Sequence, residues 1–181
     1  MDAFLLSLLL CLLMSLGSRL STYVPSGRRR ALFYGVLLIG LATAAALWAV
    51  AGASLAPAMT PEARSLFLAL ALAVESVILC AGGMRGARLR RPNRGTRLID
   101  GLADIAGGGG AFLIAAIAAA FTDPWMAGLG GWIGRALALA VVPQLITIRS
   151  WPPILRTLQL VGGSLGVILG FFMAMSALRF V

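Results

Sequence analysis

Six carboxylates are spread through the 181 residues, and three of them fall where an acid has chemical consequences. Glu75 lies mid-way along the apolar run 64–84. An ionised side chain at the centre of a membrane helix costs about 3 kcal/mol on insertion scales, so such an acid is protonated, paired or facing water. Glu75 is therefore either a proton or cation site or a protonated acid hydrogen-bonded to a neighbouring helix. Asp100 and Asp104 stand four residues apart on one face at the start of the run 99–121. Two carboxylates so placed could hold a divalent cation, with backbone oxygens and water completing its shell, and these two are the candidate metal ligands. The same spacing also suits a helix N-terminus, where acids offset the dipole without any ligand. Ser15 and Ser18, with Gly17 between them, share a face of the first apolar run. They either bond back to their own helix or line a pathway.

Two breakers complete the candidate pathway. Gly107 to Gly110 follow the aspartates directly. Consecutive glycines weaken a helix by about 1 kcal/mol each relative to Ala, so an unwound stretch is expected there, with Gly107 and Gly108 beside it. Pro143 frees backbone carbonyls next to the Gln144 amide, which fits a kink alone or a polar step in a route. Asp123 before Pro124 reads as a helix N-cap. There is no histidine, no nucleophile paired with a base and no phosphate loop, so an enzyme is not expected, and no cofactor is implied. Cys11 and Cys80 sit separately in apolar runs and read as free, buried thiols.

The elements that must carry these residues are membrane helices. Sixty per cent of the chain is hydrophobic and 12% charged, with a mean hydropathy of +0.98. That composition belongs to membrane proteins rather than to a soluble domain of this length. A bilayer core of about 30 Å takes about 20 residues of helix, a yardstick that divides the chain into roughly six segments. They are 3–24, 31–56, 64–84, 99–121, 126–148 and 156–178. The first segment begins with Asp2, lacks a basic leader and shows no small-x-small cleavage site, so it is expected to remain as a transmembrane helix.

All fifteen basic residues are arginine, giving a net charge of +9. Six crowd into Met84–Arg97 among glycines and a proline, which can neither enter hydrocarbon nor propagate a helix. The chain thus divides into a first three-helix repeat (1–84), an arginine-rich linker (85–98) and a second three-helix repeat (99–181). Arg19, Arg28 to Arg30, the six linker arginines, Arg149 and Arg156 all fall on one side. The positive-inside tendency makes that side cytoplasmic and sends both termini outward. Anionic headgroups, not nucleic acid, are the expected partners of these loops, because stacking aromatics and a recognition helix are missing. The all-arginine usage suggests a bacterial inner membrane.

Three segments per half would place the halves upside down relative to each other. Arg64-Ser65-Leu66-Phe67-Leu68 and Arg156-Thr157-Leu158-Gln159-Leu160 repeat one pattern near the starts of segments three and six, and Gly35 and Gly40 sit much as Gly130 and Gly134 do. The glycines of segments five and six, Gly130, Gly131, Gly134, Gly162, Gly163, Gly166 and Gly170, read as surfaces for close helix packing.

This layout resembles the Gdt family, six-helix proteins of two inverted repeats that include Golgi manganese and calcium transporters. Members carry E-x-G-D-[KR]-[ST] in helices one and four. Here Ser15-Leu16-Gly17-Ser18-Arg19 falls on the first motif, keeping the glycine and the basic residue with serine for both acids. Phe121-Thr122-Asp123-Pro124-Trp125 resembles the entry to helix five, which sets Ile105-Ala106-Gly107-Gly108 on the second motif, again keeping only the glycine. The resemblance implies an all-α membrane protein exchanging Mn²⁺ or Ca²⁺ for protons, with activity altered or lost along with the acids. Asp104, Asp100 or Glu75 would then stand in for them. A membrane scaffold, or a partner subunit for a second copy or an intact paralogue, is the competing reading, and an exporter of small solutes ranks third.

Overall fold

A computed structural model describes residues 3–16, 30–85, 110–146 and 151–178, and the described chain is helical almost throughout. Six α-helices follow in order: α1 (Ala3–Ser15), α2 (Arg30–Leu55), α3 (Pro61–Arg85), α4 (Ala111–Ala120), α5 (Pro124–Ile146) and α6 (Trp151–Ala177). A short 3-10 turn, Ala56–Ala58, links α2 to α3.

Local chemistry sets the helix ends. Thr60 caps α3 by accepting the Ala63 N–H at 3.3 Å, with Pro61 first in the helix and Glu62 in its first turn. Arg64 donates from Nη2 to the Ala56 carbonyl at 2.7 Å and so ties α3 back to the turn. Asp123 stands directly before Pro124, the first residue of α5, as an N-cap would.

Within α2, α3 and α6 the stretches Tyr34–Ala58, Pro61–Met84 and Pro153–Ala177 are long and apolar enough to cross a membrane. Helix α5 has similar length at 23 residues, but Arg135, Gln144 and its glycines dilute its hydropathy. The described parts of α1 and α4 are 13 and 10 residues long. At about 1.5 Å per residue they cover about 20 and 15 Å, short of a bilayer core of about 30 Å. Residues 99–109, expected to begin the fourth span, lie outside the described residues.

Side-chain placement leaves the outer surface largely apolar. Large apolar residues point outward on every helix except α4, among them Leu5, Ile39, Leu70, Leu137, Leu165 and Phe171. The interior combines leucines and isoleucines such as Leu41, Leu79 and Ile114 with alanines of α2 to α5 and the buried polar side chains of Ser7, Ser15, Ser76 and Gln159. Lipid leaves leucine indifferent to burial, so the helices meet where backbones can approach closely. Helix α4 is the centre, with nearly every side chain from Ala111 to Ala119 enclosed.

The most extensive pairings are α3 with α6 and α1 with α5, and α2 packs on both α4 and α5. Gly130 lies on Phe4 and Gly134 on Leu8 and Leu12, so α1 and α5 run parallel. Gly52 lies on Ala115 and Ala118 while Trp48 meets Phe112 edge-on, so α2 and α4 are also parallel. Gly163, Gly166 and Gly170 face Cys80, Ser76 and Ala69 in turn, so α3 and α6 are antiparallel. Trp132 on α5 donates to the Leu38 carbonyl of α2 at 3.1 Å, and Gly128 lies by Ala49, which sets α2 against α5. Taken together, the helices alternate in direction along the chain.

The glycines expected to be packing surfaces in α5 and α6 are such surfaces. A Cβ on Gly130, Gly134, Gly163 or Gly166 would run into a facing helix. Gly35 does not share the setting of Gly130, with which it was matched, because nothing lies within 4 Å of where its Cβ would be. In α2 the close approach is made by Gly52 instead.

Candidate functional site

The site is built where α4 begins. Gly110 has φ of 92°, a left-handed conformation that an L side chain rarely adopts, and α4 starts at the next residue. It is also the last of the four glycines whose run was expected to break a helix. Cys11 of α1 packs behind it, its Cα 3.2 Å from where a Gly110 Cβ would stand, and its thiol donates to the Gly110 carbonyl at 3.4 Å. On the other side is Glu75 of α3, whose carboxylate accepts the backbone N–H groups of Gly110 and Phe112. These N–H groups belong to the open first turn of α4, where the helix dipole favours negative charge.

Arg135 completes the arrangement. It lies near the middle of α5, and both it and Glu75 are only 3% exposed. Its neighbours on α5 fix its level: Gly131 touches Ser7 and Ile114, and Gly134 touches Leu8 and Leu12. That is the level of Cys11, hence of Gly110, and the guanidinium acts electrostatically on both Cys11 and Glu75. A buried acid thus caps a helix N-terminus inside the bundle, and a buried arginine on another helix stands at a similar level.

Around this centre the polar groups mostly find backbone partners. Ser7 donates to the Ala127 carbonyl at 2.6 Å, joining α1 to α5. Gln159 of α6 donates to the Leu16 carbonyl at 2.9 Å, at the end of α1. The Ser76 hydroxyl, buried beside Gly166, has no hydrogen-bond partner among the described residues. Phe112 also makes edge-on contacts with Trp48 and Phe67, which hold the first turn of α4 between α2 and α3.

Of the residues singled out from the sequence, Glu75 and the end of the glycine run come together, and Ser15 is buried at the C-terminal end of α1. Gly17, Ser18, Asp100, Asp104, Gly107 and Gly108 lie outside the described residues, as does the Gln144 side chain, although Pro143 and Gln144 both fall within α5. Cys11 and Cys80 are free, the first buried and the second partly so. Among the described residues no three His, Cys, Asp or Glu side chains gather as a metal site. Arg135 was passed over in the sequence because, with Arg64 and Arg179, it fell outside the twelve arginines that set the orientation. Its position inside an apolar run was the available signal.

The chain matches no protein-family model, no curated protein and no solved structure. What can be said of function comes from the residues themselves.

Proposed function

We propose that this chain is a six-span membrane transporter of two inverted three-helix repeats, of the cation/proton exchange type, in which Glu75 carries the proton. The observation that carries this reading is the buried Glu75 carboxylate on the first-turn N–H groups of α4, with a second buried ionisable side chain, Arg135, on α5. Ionisable groups within the membrane are expensive and are kept where an ion or proton moves, and helices that begin inside the bilayer commonly border such a site. A helix bundle held together by packing alone has no need of either charge.

The repeat reading draws support from the pairing of helices. A two-fold axis in the membrane plane relating α1–α3 to α4–α6 exchanges the parallel pair α1·α5 with the parallel pair α4·α2 and maps α3·α6 onto itself. The arginine-rich linker then joins the repeats at the cytoplasmic surface, and both termini face outward, across a bacterial inner membrane. Mn²⁺ or Ca²⁺ is the substrate class we assign, with Asp100 and Asp104 as its oxygen ligands.

A partner-subunit role is the second reading, and one observation favours it. The Glu75 carboxylate already has two N–H groups as partners, so it is satisfied without an ion.

Purified protein in liposomes separates the two. Under an imposed proton gradient, Mn²⁺ uptake coupled to proton release is expected, and Glu75→Gln should abolish the coupling while the protein remains folded. Flux that persists unchanged in Glu75→Gln rejects Glu75 as the carrier, and flux that survives Asp100→Asn with Asp104→Asn rejects the proposed metal ligands. Absence of any flux in the wild-type chain favours the subunit reading.

A further inference from the structure

We infer that Glu75 takes up and returns its proton through one end of the bundle only, the end from which the arginine-rich linker leaves, along a polar seam of Ser76, Cys80, Ser164 and Gln159 between α3 and α6. The inference rests on the reading of Glu75 as a proton carrier and names the side, and the side chains, that serve it.

Seen from Glu75, the two ends of the bundle are unlike. On the linker side α3 presents Ser76, Cys80 and Gly83 to α6, at the four- and three-residue spacing of one helix face. Gly166 and Gly163 lie on Ser76, Gly163 also lies on Cys80, and Gly83 lies on Gln159. The Cys80 thiol stands 4.0 Å from the Ser164 hydroxyl and donates to the Leu160 carbonyl at 3.8 Å. Gln159 reaches across to the Leu16 carbonyl at the end of α1. Ser76 adjoins Glu75 in the chain, is fully buried and has no hydrogen-bond partner among the described residues. A buried hydroxyl left unpartnered costs stability, so its presence beside the acid calls for a use. A hydroxyl both accepts and donates a proton, which a relay needs and a packing residue does not.

Towards the α2–α3 turn the surroundings are apolar. There α3 buries Leu72, Ala71, Ala69 and Leu68, and α4 is apolar and enclosed from Ala111 to Ala119 apart from the partly buried Phe112. Phe112 meets Trp48 and Phe67 edge-on, with ring centroids 6.3 and 5.3 Å away, so α2, α3 and α4 close one aromatic cluster where α4 begins. Of the buried polar side chains among the described residues only Ser7 lies on this side, and its hydroxyl is committed to the Ala127 carbonyl. An apolar constriction of this kind excludes water and closes a route to protons. On the helices packed against α3, the titratable side chains among the described residues are Cys11 of α1 and the exposed Arg156 of α6, with none on α4, while Arg135 of α5 stands at a level similar to Glu75. No second carboxylate among the described residues of these helices competes for the proton.

Dicyclohexylcarbodiimide, an apolar reagent that modifies a buried carboxyl group in its protonated form, tests this on the full-length chain in sealed vesicles. The pH is set separately on the two faces, and the face bearing the linker is identified in a parallel sample by trypsin cleavage after the linker arginines. Peptide mass spectrometry reads modification at Glu75. That modification should be lost as the buffer on the linker face is made alkaline, and should be unchanged when only the other face is made so. In Ser76→Val, or Cys80→Val if the first does not elute as a folded protein, the response to the linker face should weaken. Modification that follows the other face, or both faces equally, overturns the inference while leaving Glu75 a proton carrier. A folded seam variant that responds as wild type overturns it too, since the proton would then travel elsewhere. Modification indifferent to the pH of both faces refutes the carrier reading itself, and the inference with it.

Discussion

Gly110 is the point at which the architecture of the site can be broken with a single methyl group. Its φ of 92° costs an L residue about 1–2 kcal/mol. The new Cβ would also stand 3.1 Å from the Cys11 Sγ and 3.2 Å from its Cα, tighter than ordinary contact. Overpacking against a backbone atom adds about 1–3 kcal/mol. Gly110→Ala should therefore destabilise the bundle by about 2–5 kcal/mol in total. The control is Gly35→Ala, at a helical glycine with nothing within 4 Å of the added methyl. There the substitution should stabilise, by up to about 1 kcal/mol, because alanine is the better helix former. Reversible unfolding of both variants in mixed micelles, followed by helical circular dichroism, measures the two changes on one scale. Opposite signs are required. If Gly110→Ala were neutral or stabilising, neither the left-handed turn nor its contact with Cys11 could be as described, and the N–H groups offered to Glu75 would lose their support.

Three further outcomes follow from the packing. Ser76→Ala should raise stability by about 1 kcal/mol, since it removes a buried hydroxyl without a hydrogen-bond partner among the described residues, and a thermal melt in detergent checks the sign. Trp132→Phe loses the 3.1 Å bond to the Leu38 carbonyl and should cost about 1 kcal/mol in the same melt. Gly134→Ala puts a methyl into the Leu8 carbonyl and the Leu12 amide, and should cost about 1–3 kcal/mol by forcing α1 away from α5.

The sequence disclosed the helices more readily than their meeting points, for a physical reason. Apolar length is a local property, so the runs that became α2, α3 and α6 could be read from hydropathy and the arginines between them. Glu75 was equally plain, because one acid in an apolar run has few explanations. The glycines of α5 and α6 were read correctly as contact surfaces, but Gly35 was not distinguishable from Gly130, since what a glycine touches depends on the helix that faces it. Arg135 was missed for a related reason. Counting charges to orient loops does not say whether an arginine within a span is enclosed, and Arg135 is buried because α5 packs on α1, α2 and α4.

The central claim, that Glu75 and Arg135 act as one buried unit, is tested most directly by a double-mutant cycle on unfolding stability with Glu75→Gln and Arg135→Gln. If the two charges stabilise each other, each single variant loses that interaction, and the double variant loses it only once. The account predicts that the double variant is less destabilised than the sum of the singles by more than about 1 kcal/mol. Additive effects, agreeing within about 0.5 kcal/mol, would contradict it.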